Sequence, residues 1–321
     1  MADYQNIRGM RVKYLSADPS NIADGEVWYN STSGTLKIQQ LTEATSSVNN
    51  MNTGRYALGS AGTLTAGLAA AGDLFPSPSR GSNATEEYDG TSWATANNVG
   101  TGRSFFASCG TQTAAIGSAG NDFSTYVSAT EEYDGTNWTS GTAVPSAAEG
   151  GNQFGIQTAS IFIDGAPAGT YPNSAWTQTG GSWTSITSLN NPKNYGAMTN
   201  GTTTAGISAG GGSPEADHVE TWDGSSWTAA TALPGPNYNA AGNSTGTSTA
   251  MAVAGGTPGT QITIWDGSTW AISPASLATS RAGRPASAGT STAFYVAGGP
   301  PQVVACEEFS KGPAVKTITV S

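Results

Sequence analysis

The sequence predicts an all-β fold, a six-bladed β-propeller, and three observations predict it. The phrase Gly-x-x-Thr-Ala occurs six times, beginning at Gly62, Gly110, Gly155, Gly201, Gly246 and Gly289. Its threonines are 48, 45, 46, 45 and 43 residues apart, a period that marks one supersecondary unit used repeatedly. Each repeat also offers four short segments of strand character bounded by turn residues, and none shows helical periodicity.

The elements follow in order. A first strand opens each repeat, as in Tyr56–Ser60 and Ser104–Ser108, and the Gly-x-x-Thr turn reverses it. The second strand is small or β-branched: Thr65–Ala70, Thr113–Ser118, Thr158–Ile163, Thr204–Ala209, Thr249–Ala254 and Thr292–Ala297. In three repeats it ends in a glycine pair, Gly210-Gly211, Gly255-Gly256 and Gly298-Gly299. A third strand ends in an aromatic residue and Asp-Gly, at Tyr88, Tyr133, Trp222 and Trp265, and a fourth begins at Trp93, Trp138, Trp227 or Trp270. Asp-Gly between strands is a strong hairpin signal, because glycine accepts positive φ at no steric cost. The third repeat is degenerate around Gly180-Gly181, and the sixth has Phe309 and Lys311-Gly312 without the second aromatic. We expect a fourth strand near Val315–Val320, so that blade 6 is built from contiguous sequence; the alternative is an outer strand donated by Leu36–Val48. The glycine pair followed by an aromatic and a Trp around a tight turn resembles kelch repeats, which speaks to fold and little to function. A solenoid is the alternative architecture, but the last repeat is not an evident polar cap.

The expected organisation is residues 1–50 as an N-terminal docking segment and 51–321 as the propeller. In the front segment Val27 and Tyr29, then Leu36 and Ile38, alternate around Ser33-Gly34 and read as a β-hairpin. Two strands alone are marginal in water, so Val27, Trp28, Leu36 and Ile38 are expected to dock on a partner. The run from Asp24-Gly25-Glu26-Val27-Trp28-Tyr29-Asn30 to Gly34-Thr35-Leu36-Lys37 resembles the N-terminal segment of structural proteins from tailed bacteriophages of marine bacteria, cyanophages included. Thr85–Trp93 and the ending Lys316-Thr317-Ile318-Thr319-Val320-Ser321 fit the same group. The resemblance implies a virion component made in the host cytoplasm: a tail-fibre or host-attachment protein, or alternatively a capsid decoration or connector protein. Implied partners are other virion structural proteins, sister copies and a host surface glycan or receptor.

Composition narrows the function classes. The net charge is −10 and the twelve basic residues are scattered, so no nucleic-acid footprint is visible. No apolar run is long enough for a membrane helix, and membrane insertion is not expected. Two cysteines and one histidine, Cys109, Cys306 and His218, leave no metal-ligand set, and neither metal nor cofactor is expected. Cys109 stands where Ala61 stands one repeat earlier and reads as a small core residue. The pairs Glu86-Glu87, Glu131-Glu132 and Glu307-Glu308 point to opposite faces of their strands and cannot act together, so no catalytic residue is assigned.

Two sets of candidate ligand residues remain. Arg55, Arg103 and Arg281 each open a repeat in blades 1, 2 and 6, neighbours in a closed ring. They could jointly hold a carboxylate, as the three arginines of sialidases do, or each could pair within its own blade. A sialidase-like enzyme acting on glycans is the weakest functional reading. The loops after the second strands of blades 1 to 3 are long and carry Phe75, Arg80, Phe123, Tyr126 and Tyr171, residues suited to stacking on a sugar or to plugging the loop itself.

Overall fold

A computed structural model describes residues 12–318 apart from short gaps at 75–79, 164, 166–172, 194–196, 213–215, 244–245, 257–258 and 301–303. Among the described residues every regular element is a strand. Three precede the repeats: β1 (Lys13–Leu15), β2 (Val27–Asn30) and β3 (Thr35–Val48). Blade 1 comprises β4 (Gly59–Thr63), β5 (Ala66–Ala70), β6 (Thr85–Tyr88) and β7 (Trp93–Ala96). Blade 2 comprises β8 (Ala107–Thr111), β9 (Ala114–Ser118), β10 (Thr130–Tyr133) and β11 (Trp138–Gly141). Blade 3 comprises β12 (Asn152–Ile156), β13 (Ala159–Ile163), β14 (Ala175–Thr179) and β15 (Ser182–Ile186). Blade 4 comprises β16 (Met198–Thr202), β17 (Ala205–Ala209), β18 (Val219–Trp222) and β19 (Trp227–Ala230). Blade 5 comprises β20 (Ala241–Gly242), β21 (Met251–Ala254), β22 (Gln261–Trp265) and β23 (Trp270–Ser276). Blade 6 begins with β24 (Ala286–Thr290), β25 (Ala293–Ala297) and β26 (Cys306–Thr317).

Blades 1 to 5 are four-stranded antiparallel meanders, and their first strands neighbour one another round a central channel. The sixth sheet runs β1-β2-β3-β26-β25-β24. The expectation of a contiguous blade 6 is therefore overturned: β3 takes its fourth place. The cause is local. The turns after the third strands are held by aspartate, as where Asp89 Oδ1 accepts from the Thr91 and Ser92 amides at 2.7 Å each. Lys311-Gly312 offers no such acceptor and no following Trp, so β26 continues straight through it. The place that a reversed chain would fill is left to a strand from the beginning of the sequence.

The chain divides into two compact units, Met1–Ala44 with Ser310–Ser321, and Thr45–Phe309. The division differs from the boundary at residue 50 expected from sequence, because the last residues belong with the first. In the smaller unit, Ile318 N donates to Leu36 O at 2.8 Å, and Lys311 pairs with Glu43 at 2.8 Å. In the larger unit, Met51 N donates to Val304 O at 2.8 Å, and Met51 joins Leu58, Tyr88, Trp93, Tyr295 and Cys306 in a core cluster between blades 6 and 1.

Three recurring devices hold the larger unit together. The glycine of Gly-x-x-Thr-Ala has positive φ in all six repeats, +96° at Gly62 and +111° at Gly110, and in five of them an added Cβ would strike the carbonyl oxygen of the alanine four residues on. Only glycine permits that approach. At the other end of the blade, the second residue of the glycine-pair position donates its N–H to the next blade, as in Gly72→Arg103 O (2.8 Å) and Gly256→Arg281 O (2.6 Å). Blades 1 and 2 keep the left-handed turn there with Ala71 (φ 60°) and Ala119 (φ 59°). Finally, side chains reach between blades: Tyr88 donates to Glu308 (2.6 Å), Tyr133 to Glu87 (2.8 Å), and Trp138 Nε1 to Thr85 Oγ1 (3.0 Å).

Candidate functional site

The loops after the second strands and the connections between blades share one end of the propeller, because strands 1 and 2 are antiparallel. Bridges Tyr56↔Asp73 and Ser104↔Asn121 join them there. The described candidate ligand residues, Arg55, Arg80, Arg103, Phe123, Tyr126 and Arg281, belong to this end.

Arg55, Arg103 and Arg281 do not form a joint anion clamp. Each is fully buried and closed within its own blade, with Arg55 Nη2 on Glu86 at 2.8 Å, Arg103 Nη2 on Glu131 at 2.6 Å and Arg281 Nη2 on Glu307 at 2.9 Å. Arg281 also donates Nε to Glu307 (3.2 Å) and Nη1 to the carbonyls of Gly298 (2.8 Å) and Ala305 (2.7 Å). Each glutamate in turn caps backbone amides just before its arginine: Asn52 on Glu86 and Ala278 on Glu307, both at 2.6 Å. Burial lowers the affinity of Arg55 and Arg103 for their protons, and the neighbouring glutamates oppose that shift. Blade 4 keeps the design with Lys193 in the arginine's place and Glu220 capping Asn190 N at 2.8 Å. The recurrence that made these arginines look functional is a structural one.

Arg80 and Phe123 are brought together. The guanidinium carbon lies 4.8 Å from the Phe123 ring centroid, and Nη2 pairs with Asp73 at 2.6 Å. Tyr56 Oη donates to the same carboxylate at 2.7 Å. Hydrogen bonding to Asp73 holds the Arg80 proton more firmly, whereas burial is the main cause raising the Tyr56 pKa. Phe123, at φ 69°, and Tyr126 are half-buried, so these side chains serve the loop before any ligand. Phe75 and Tyr171 lie outside the described residues.

Of the four residues expected to dock on a partner, Trp28 is fully buried, its Nε1 donating to Asp18 Oδ1 at 3.0 Å. Val27, Leu36 and Ile38 are half-buried. Asn30 Nδ2 (2.8 Å) and Lys37 Nζ (2.7 Å) bind Asp18 as well, and these bonds, Lys37 foremost, hold its pKa down to about 2. The hairpin thus buries its tryptophan inside the protein rather than presenting it.

Sequence reasoning missed the centre of this end. A cavity of about 70 Å³ opens in the channel, lined among others by Ser60, Ser108, Gln153, Thr199 and Arg284. The residue just ahead of the first strand is left-handed in blade after blade: Ala57 (φ 52°), Phe105 (φ 55°), Gly150 (φ 77°), Asn239 (φ 58°) and Arg284 (φ 57°). This kink lets main chains of adjacent blades meet, Phe105 N on Ala57 O at 2.8 Å and Arg284 N on Asn239 O at 2.9 Å. Arg284 then crosses the channel. From blade 6 it donates Nη2 to Gly151 O (2.9 Å) and Asn152 Oδ1 (3.0 Å) in blade 3, the opposite side of the ring. Burial lowers its pKa to about 10, partly opposed by Glu149, so it stays cationic at neutral pH. The available signal was the residue type: two residues ahead of its first strand blade 6 has Arg284, where blades 1, 2, 3 and 5 have Ala57, Phe105, Gly150 and Asn239. Among the described residues no cluster of His, Cys, Asp and Glu could hold a metal ion, and no helix is long and apolar enough to cross a membrane.

No family profile and no curated protein matches the chain. Among solved structures it is similar to one titled "Structure of YjhT", a propeller-type protein, with a TM-score of 0.64 at 13% identity, covering 83% of this chain and 99% of that one. At that identity the likeness concerns the fold alone.

Proposed function

We propose that the chain is a non-enzymatic structural protein of a phage virion, a tail-fibre or host-attachment component. The smaller unit anchors it to other virion proteins, and the propeller faces the host surface. The observation that carries the anchoring role is where apolar side chains remain exposed. Of the seven large hydrophobics exposed among the described residues, Val12, Tyr14, Leu41 and Val315 lie in the smaller unit, Tyr14 at 74%. Exposed apolar residues concentrated in one small unit suit a protein interface better than open water. The sequence resemblance supplies the virion context, and the spending of Arg55, Arg103, Arg281 and their glutamates on ion pairs favours binding over glycan hydrolysis. A decoration or connector role is the second reading, favoured by the engagement of Arg80 and Phe123 with each other.

The test substitutes Val12, Tyr14, Leu41 and Val315 with serine together. Being exposed, these positions carry little core packing, and circular dichroism of the purified variant should match the parent. Incorporation into particles should fall sharply; normal copy number in particles would refute the anchoring role. Particles carrying Phe123→Ala and Tyr126→Ala at normal copy number should adsorb poorly to host cells, and unimpaired adsorption would favour the decoration reading.

A further inference from the structure

Among the described residues Arg284 is the arginine without a carboxylate partner. Arg55, Arg103 and Arg281 have Glu86, Glu131 and Glu307, and Arg80 has Asp73. Arg284 has two neutral acceptors, both on Nη2. Its Nη1 is buried with no protein acceptor in reach. The Phe105 ring lies over the guanidinium, 5.6 Å from Cζ to the centroid. Glu149 is near enough to act through its charge, but its Oε2 accepts from Asn121 Nδ2 at 2.9 Å. A cationic donor buried without an acceptor is stabilised by an anion in hydrogen-bonding contact.

Two acceptors around the channel are in the converse position. Asn239 Oδ1 and Gln153 Oε1 are buried with no donor, and Gln153 lines the same cavity as Arg284. Asn239 belongs to the connection whose carbonyl takes the Arg284 amide. The protein thus holds Arg284 in a left-handed conformation, immediately before Pro285, where a non-glycine residue is disfavoured on both counts.

We propose that this channel mouth binds a small hydroxy-carboxylate, its carboxylate on Arg284 Nη1 and its hydroxyl donating to Asn239 Oδ1 or Gln153 Oε1. A cavity of about 70 Å³ admits the carboxylate and the hydroxyl-bearing carbon next to it. The acid can be free, or it can be the uronic acid at the end of a glycan whose remaining sugars stay outside. The inference does not rest on the virion reading, since it concerns the propeller alone.

Isothermal titration of the full chain with sodium glycolate and sodium galacturonate, beside neutral ethylene glycol and galactose, tests it. The acids should bind, and the neutral compounds should bind at least about tenfold more weakly. Equal binding of both acids identifies a free small acid as sufficient; binding of galacturonate alone identifies a glycan acid; either supports the site. Arg284→Gly should weaken binding at least about tenfold without lowering the melting temperature, because glycine accepts the backbone conformation. No binding of either acid at millimolar concentration, or unchanged binding in a folded Arg284→Gly protein, would overturn the proposal.

Discussion

Replacing Arg281 with methionine tests the claim that the recurring arginines are structural. Arg281 is fully buried and makes four hydrogen bonds, two to Glu307 and two to the carbonyls of Gly298 and Ala305. Methionine fills much of the space but leaves Glu307 as a buried carboxylate whose acceptance from the Ala278 and Thr279 amides compensates only in part. Breaking such a pair from one side costs roughly 3–5 kcal/mol. At ~2–4 °C per kcal/mol for a large domain, the melting temperature in calorimetry should fall by roughly 6–20 °C. Glu307→Leu should cost at least as much, because it strands the arginine and both amides. The double variant removes both charges, leaving chiefly the two amide N–H groups unsatisfied at ~1–3 kcal/mol each. Its loss should therefore be well below the sum of the single losses, with a coupling of at least about 2 kcal/mol. A loss below about 1 kcal/mol for Arg281→Met, or strict additivity in the cycle, would refute the reasoning.

Two further outcomes follow from local geometry. Gly110→Ala forces an L-residue to φ +111° and sets a Cβ against the Ala114 carbonyl, so urea denaturation should show a loss of about 1–3 kcal/mol, whereas Gly235→Ala, with open space around its Cα, should stay within about 0.5 kcal/mol of the parent. In the smaller unit, Asp18 has its pKa depressed to about 2 against an unfolded value near 3.9, so its contribution to stability is complete above about pH 4 and is lost as pH falls through about 2. The indole N–H resonance of Trp28, which donates to Asp18, should report that titration; a midpoint near 4 would show that the carboxylate is not held by its three side-chain donors.

The blade was legible because it is periodic. Gly-x-x-Thr-Ala and aromatic-Asp-Gly-x-x-Trp each report a backbone requirement, a carbonyl approach in one case and an aspartate-held turn in the other. Repetition, six times for the first and four for the second, separates such requirements from chance. First-strand boundaries were placed about three residues early, at Tyr56 rather than Gly59, because the left-handed Ala57 interrupts the chain and alanine gives no sign of that conformation. The closure of blade 6 was misread for a related reason. A missing Asp-Gly turn shows where a hairpin is absent, but pairing between β3 and β26 spans most of the sequence and leaves no local trace.

At the site the sequence left two readings of the recurring arginines open, a joint anion site or pairing within each blade, and the ion pairs to Glu86, Glu131 and Glu307 are the second. In a repeat protein a side chain that recurs at one position solves a problem that every blade shares, and Arg55, Arg103 and Arg281 solve the burial of amides and carbonyls where one blade hands over to the next. Function needs an arrangement made once. At the left-handed position ahead of β24 stands an arginine, which sends its guanidinium across the channel to blade 3, where Gly151 and Asn152 hold half of it and leave Nη1 without an acceptor. Among the described residues no other blade supplies that group, since at the corresponding left-handed positions stand Ala57, Phe105, Gly150 and Asn239. The asymmetry that a ligand requires in a pseudo-symmetric ring is therefore concentrated at Arg284, and the departures from the repeat carry more information about binding than the repeat itself.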